Sequence, residues 1–188
     1  MKTFTIHNTE TAQAPAKDLL AAVETSIGFV PNLFGIIAES PVALTSFIQL
    51  NEQFSKSSLN ATAREIIQIA VSVENACNYC VAGHSAFAEM QNVPETIVAA
   101  IRNNQPIEDS KLEALNQFTR LTVRNKGFVA DEAVQEFLDA GYTKAHVMEV
   151  ILGICVKTFS NLANNIIGIP LDEEFSKYVW QLDTEEVA

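Results

Sequence analysis

Three cysteines in 188 residues are too few, and odd in number, for a secreted disulfide framework. The count suits a functional pair plus a bystander, and Cys155, inside VILGICV, is the bystander. Basic residues are scarce too: 12 Lys and Arg stand against 23 Asp and Glu, for a formal charge of −11. Nucleic-acid binding needs cations that displace phosphate counterions, and with no basic stripe anywhere no nucleic-acid partner is expected. MKTFTIHNTE lacks the apolar core of a signal peptide, and there is no run of about 18 apolar residues to span a bilayer. The expectation is a cytoplasmic protein with no membrane partner. Alternating strand patterns are missing, which excludes a thioredoxin-type sheet around the cysteines. Repeats, low-complexity stretches and linkers are missing as well, so residues 1–188 read as one domain.

What the chain has in quantity is apolar helix. Hydrophobic residues make up 48% of it and charged residues 19%, a surplus that a core and subunit interfaces can both absorb. Periodicity and punctuation predict an all-α fold of about eight or nine helices. After a polar arm over residues 1–14, Pro15 opens a short helix that ends near Gly28. FVPNLFGIIAES reads as a loop and a brief apolar helix. Ser40-Pro41 then signals a helix over about 41–57 with Leu44, Phe47, Ile48 and Phe54 inward. Residues 1–59 read as an N-terminal helical extension packed on the core and covering its site. Asn60 caps the next helix, Pro94 starts another, residues 110–126 form an amphipathic one stopped by Gly127, and DEAVQEFLDAG ends at Gly141. Thr143 caps the longest pattern, KAHVMEVILGICVKTFSNLANNIIG, which is apolar nearly all round and therefore expected to be central. The tail DEEFSKYVWQL has acidic residues suited to a helix N-terminus, and Tyr178, Val179 and Trp180 to dock.

Chemistry is concentrated in EIIQIAVSVENACNYCVAGH, residues 65–84. Residues 64–73 predict a buried helix; ENACN breaks the pattern, and Asn75 or Asn78 can cap a second helix over roughly 78–91 with Cys77 and Cys80 in its first turn. Positions i and i+3 of a helix lie about 5 Å apart at Cα, so the two sulfurs can bond. Cys80 and His84 lie about 6 Å apart on one face, Cys77 and His84 about 10–11 Å, and His84 leans back towards Cys80 as its base. A helix N-terminus and a neighbouring histidine both lower a thiol pKa, which makes Cys80 the nucleophile. Cys77, nearer the helix end and expected to be more exposed, is placed to close a disulfide on oxidised Cys80. Reversal of the chain near Asn75 makes an antiparallel helical hairpin in which Glu65 faces His84 and orients its imidazole.

Glu65, Cys77-Asn78-Tyr79-Cys80 and His84 together resemble the AhpD-like (alkyl hydroperoxidase D-like) branch of the carboxymuconolactone decarboxylase superfamily. FVPNLFGIIAESP, residues 29–41, and NIIGIPLDEEF, residues 165–175, resemble its peroxidase-related members. The resemblance implies an AhpD-like helical bundle around the central hairpin and a homo-oligomer, whether dimer, trimer or hexamer. It also implies a thiol peroxidase or disulfide reductase acting on hydroperoxides, in which the second cysteine attacks. The reductant it implies is an external dithiol, dihydrolipoamide-like or thioredoxin-like. One departure is Tyr79, where the alkyl hydroperoxidase proper has a histidine; a tyrosine there either donates a proton or packs. The decarboxylase branch generally lacks the cysteine pair, which argues against lactone decarboxylation.

No cofactor is expected, and no metal, since Cys77, Cys80 and His84 supply three ligands where structural zinc takes four. Competing readings make His84 and Glu65 the acid–base groups of a lyase, with the cysteines lining its pocket, or the whole chain a non-catalytic stress-response assembly component. The blandest makes the cysteines two small apolar residues in a helix contact and Glu65 a first-turn carboxylate held by the helix dipole. His7 and His146 read as structural or surface residues.

Overall fold

The computed structural model describes residues 4–181. Among these residues the fold is all-α: α1 (Ala16–Ile27), α2 (Asn32–Ile37), α3 (Pro41–Ser55), α4 (Ala61–Glu74), α5 (Asn78–Met90), α6 (Glu95–Arg102), α7 (Ser110–Arg124), α8 (Asp131–Asp139) and α9 (Lys144–Ile167), followed by a 3-10 turn, Glu173–Tyr178. Punctuation in the sequence sets the helix ends. The Ser40 and Asn60 side chains accept from the backbone N–H of Ala43 and Ala63, satisfying donors that a helix start leaves free. Thr143 Oγ accepts from His146 N while His146 Nδ1 accepts from Thr143 N, so His146 is half of a capping box.

The centre of the bundle is α4. Nearly every residue from Ala63 to Val73 is buried, and α5, α6, α7 and α9 all pack on it. Its C-terminal end is pinned by an ion cluster: the Glu74 carboxylate accepts from Arg120 Nη1 at 2.7 Å and from Arg124 Nη2 at 2.8 Å. Buried Arg120 also donates to Asn116, Asn104 and the Ile101 carbonyl, so its charge enters the core with its donors satisfied.

Helix α9, expected at the centre, is central on one face only. Met148, Ile151, Cys155, Leu162 and Ile166 form an exposed stripe along the other. An apolar circumference does not distinguish a core face from one that a single chain leaves bare. By length and composition α9 also passes for a membrane span, with mean hydropathy 1.4, yet its inner face is built into the bundle against α3 and α4.

Gly153 allows that close approach, since a Cβ there would lie 2.7 Å from Phe54 Cζ and 2.9 Å from Ile67 Cγ2. Gly153→Ala should therefore overpack the seam and cost about 1–3 kcal/mol, read as a lower urea midpoint at unchanged m.

The tail differs from expectation. It forms a 3-10 turn anchored by Phe175, whose ring meets those of Phe29, Tyr79 and Phe87 edge-on at 5.7, 6.0 and 5.6 Å. Trp180 docks as expected, with Nε1 donating to the Arg102 carbonyl at 3.0 Å, but Val179 stays exposed. Reaching Phe175 onto α5 at Gly83, where a Cβ would meet the ring at 3.3 Å, fixes the geometry of the turn.

Candidate active site

The hairpin inferred around Asn75 is present. Ala76 turns the chain at φ 50°, Cys77 N donates to the Ser72 carbonyl at 2.9 Å, and α5 runs back along α4. Cys77 stands at the N-cap position of α5, just before its first turn. Glu65 and His84 meet as the register requires, with Oε2 2.8 Å from Nδ1, and Glu65 Oε1 accepts from Gln91 Nε2 at 2.8 Å.

The imidazole is turned away from its expected role. His84 Nε2 lies 2.5 Å from Nζ of Lys157, a buried residue of α9. An ammonium only donates, so Nε2 is the acceptor and Nδ1 carries the proton given to Glu65. Burial and the Lys157 charge lower the His84 pKa, which keeps the ring neutral. Burial works against the Glu65 charge, but His84, Gln91 and Lys157 together hold its carboxyl below the ordinary range. Glu65 thus pairs with one nitrogen of His84, and Lys157 donates to the other.

Lys157 acts on the sulfurs. Burial alone would push the Cys80 thiol up. A hydrogen bond from Cys77, the Lys157 charge, and hydrogen bonds involving Asn161 and Ser160 overcome it and bring Cys80 down to about 6. Its Sγ lies 3.8 Å from Ser160 Oγ. Cys77 moves the other way, because the hydrogen bond it gives to Cys80 holds its proton. Burial pushes the Lys157 pKa down, opposed by the two cysteines and Glu65. Both thiols are free, and Cys77, expected to be the more exposed, is fully buried at 0% against 2% for Cys80. It is buried although it stands at a helix N-terminus, with its N–H tied to the Ser72 carbonyl. Cys155 is free and exposed, remote from the pair on the outer stripe of α9.

Tyr79 faces elsewhere. Its hydroxyl donates to Asp172 Oδ2 and accepts from Leu33 N at 3.2 Å, while Asp172 Oδ1 accepts from Asn32 N at 2.9 Å. Burial and Asp172 both raise its pKa. The two flanking segments of the sequence, around Asn32 and around Asp172, therefore meet on the residue between the cysteines and brace α5.

Lys157, Ser160 and Asn161 were not found by sequence reasoning. The one available signal was a lysine in the middle of an otherwise apolar helical run, ILGICVKTF.

Residues 42–120 match the carboxymuconolactone decarboxylase family. No curated protein matches the sequence. Among solved structures, a peroxidase-related protein from Ralstonia eutropha JMP134, described as an alkylhydroperoxidase AhpD core, superposes with TM-score 0.83 at 21% identity, over 92% of this chain and 93% of that one. A peroxidase-related protein from Silicibacter sp. TM1040 gives 0.78 at 16% identity, over 93% and 95%. The debrominase Bmp8, in a cysteine-to-alanine variant with 2,3,4-tribromopyrrole, gives 0.80 at 16% identity, over 95% of both chains. At these identities the likeness is one of fold. The family match over α3 to α7 and the AhpD-like bundle around it support an AhpD-like member of the carboxymuconolactone decarboxylase superfamily.

Proposed function

We propose that the protein is a thiol peroxidase that reduces hydroperoxides through Cys80 and Cys77 and is recycled by an external dithiol. The observation that carries this reading is the buried Cys80, lowered by the Lys157 charge and by the hydrogen bond of a second thiol, Cys77. Lys157 holds the proton that Cys80 gives up. Cys80 thiolate attacks the terminal oxygen of the hydroperoxide; the S–O bond forms, the O–O bond breaks, and the alkoxide leaves as alcohol with the proton from Lys157. Sulfur loses the two electrons that the peroxide gains. Cys77 sulfur then attacks the sulfenic sulfur, and the hydroxyl leaves as water with the Cys77 proton. A dihydrolipoamide-like or thioredoxin-like dithiol reduces the disulfide and returns the proton to Lys157. A cytoplasmic setting, with its reducing thiol pools, suits a pair that rests as free thiols.

The lyase alternative needs a free imidazole nitrogen, and both are engaged, by Glu65 and by Lys157. A debrominase among the structural neighbours supports a second thiolate reaction, attack on the halogen of a haloaromatic. Burial of both sulfurs favours the smaller hydroperoxide.

Limiting hydroperoxide should remove two thiols per equivalent and leave Cys155 titratable; survival of both active thiols would refute the redox reading. The exposed α9 stripe supports a homo-oligomer, a dimer, trimer or hexamer. Light scattering at micromolar concentration should show it, and Leu162→Glu should shift it towards monomer. A stable wild-type monomer would remove this expectation.

A further inference from the structure

Gln68 lies on α4 one turn beyond Glu65, is 3% exposed, and donates through Nε2 to the Gly153 carbonyl at 3.2 Å. A carbonyl only accepts, so the amide nitrogen must face Gly153 and Oε1 must face the other way. Among the described residues no donor reaches that oxygen. Buried amide oxygens are normally satisfied, and one left alone asks what it is for. Two other buried side-chain atoms share this state, His7 Nδ1 in the N-terminal arm and Ser57 Oγ beyond α3.

Register brings Gln68 and Cys80 to neighbouring levels of the hairpin. The Glu65–His84 pair aligns the two arms of the hairpin. From that pair Gln68 is three residues towards the turn on α4 and Cys80 four residues towards it on α5, which is about 4.5 Å and 6 Å of rise. Both side chains face α9, Gln68 at Gly153 and Cys80 at Ser160, and Lys157 stands between these two positions on the same helix. An orphan acceptor, a thiolate and an ammonium thus occupy one seam between α4, α5 and α9.

We infer that Gln68 Oε1 receives the O–H of the bound hydroperoxide, hydrogen peroxide or a small alkyl hydroperoxide, and holds its terminal oxygen against Cys80. This rests on the peroxidase reading above. The hydrogen stays on that oxygen while the S–O bond forms and the O–O bond breaks, so the acceptor is kept from bound peroxide to sulfenic acid and freed when the hydroxyl departs as water. A disulfide or a haloaromatic has no O–H to offer it. Gln68 is then a residue specific to peroxide, distinct from Lys157 and His84, which set the reactivity of Cys80 towards any electrophile.

The test compares two reactions of one sulfur. In the full chain, the rate constants for oxidation of Cys80 by hydrogen peroxide and for its alkylation by iodoacetamide are measured at the same pH in wild type, Gln68→Met and Gln68→Glu. Gln68→Met, similar in length but without an acceptor, should lower the peroxide rate about tenfold or more while alkylation stays within about twofold. Gln68→Glu, which keeps an acceptor oxygen, should hold the ratio of the two rates closer to wild type. If Gln68→Met does not fold, the same ratio in Gln68→Glu carries the decision: a tenfold fall there overturns the inference. Equal losses in both reactions, or no loss in either, overturn the role of Gln68 and leave the peroxidase reading standing. A wild-type Cys80 that alkylates but is inert to peroxide overturns the peroxidase reading itself, and this inference with it.

Discussion

Lys157→Met is expected to slow alkylation of Cys80 at pH 7 by about 30-fold or more. A thiol brought down to about 6 is mostly thiolate at neutral pH. At an ordinary value of about 8.5, only a few per cent is. Methionine keeps most of the lysine stem and its packing while removing the charge, so the loss should appear as a moved pH profile rather than as a lower plateau. In wild type the rate should rise through a midpoint of about 6, and in the variant above about 8.5. His84→Ala, which releases the ammonium from its acceptor, should move the midpoint less, and Glu65→Gln less again, because each acts through the next member of the chain.

Stability should follow the same groups. Cys80 and Glu65 are acids whose folded pKa is lowered, so the stability they contribute is present above their unfolded pKa and is lost as pH falls through the folded value. His84 is a base lowered by burial and by the Lys157 charge, and below its unfolded pKa the unfolded chain takes up a proton that the folded one refuses. Cys80 and His84 therefore act in one direction: the urea midpoint should decline from pH 8 to pH 5, with the Cys80 part ending near pH 6, and the Glu65 part follows below its ordinary value of 4.5. Lys157→Met, which removes the charge that lowers Cys80 and His84, should flatten that slope.

Cys80→Ser should abolish peroxide consumption, by about a thousandfold or more, because a serine hydroxyl in the same place is neither ionised nor oxidisable. Cys77→Ser should behave otherwise. Its first oxidation should proceed, though more slowly for want of the hydrogen bond that helps to hold the Cys80 thiolate, and the protein should then stop as a sulfenic acid with no partner to condense with. Steady-state turnover with a dithiol should vanish in both variants, while a single burst should survive in Cys77→Ser alone. Turnover of a lactone by Cys80→Ser would instead favour acid–base chemistry at His84 and Glu65.

Much of the site was legible because it is local. Glu65 and His84 are 19 residues apart and nearly symmetric about Asn75, so a helical break there was enough to pair them. Caps at Ser40, Asn60 and Thr143 were legible for the same reason: each bonds to a backbone group three residues away. Lys157 was hidden because it lies 73 residues from His84 and joins it only when α9 docks on the hairpin. The position of α4 at the bundle centre depends on the docking of α5, α6, α7 and α9 around it, which no local pattern specifies. The 3-10 tail follows from where Phe175 must land on α5, again a tertiary demand.

Trapping sulfenic acid with dimedone tests the roles of the two cysteines most directly. Cys77→Ser is treated with one equivalent of hydrogen peroxide in the presence of dimedone, and the peptides containing each cysteine are weighed by mass spectrometry. The adduct is expected on Cys80, with Cys155 unmodified. An unmodified Cys80, together with an adduct on Cys77 in the Cys80→Ser protein under the same conditions, would contradict it.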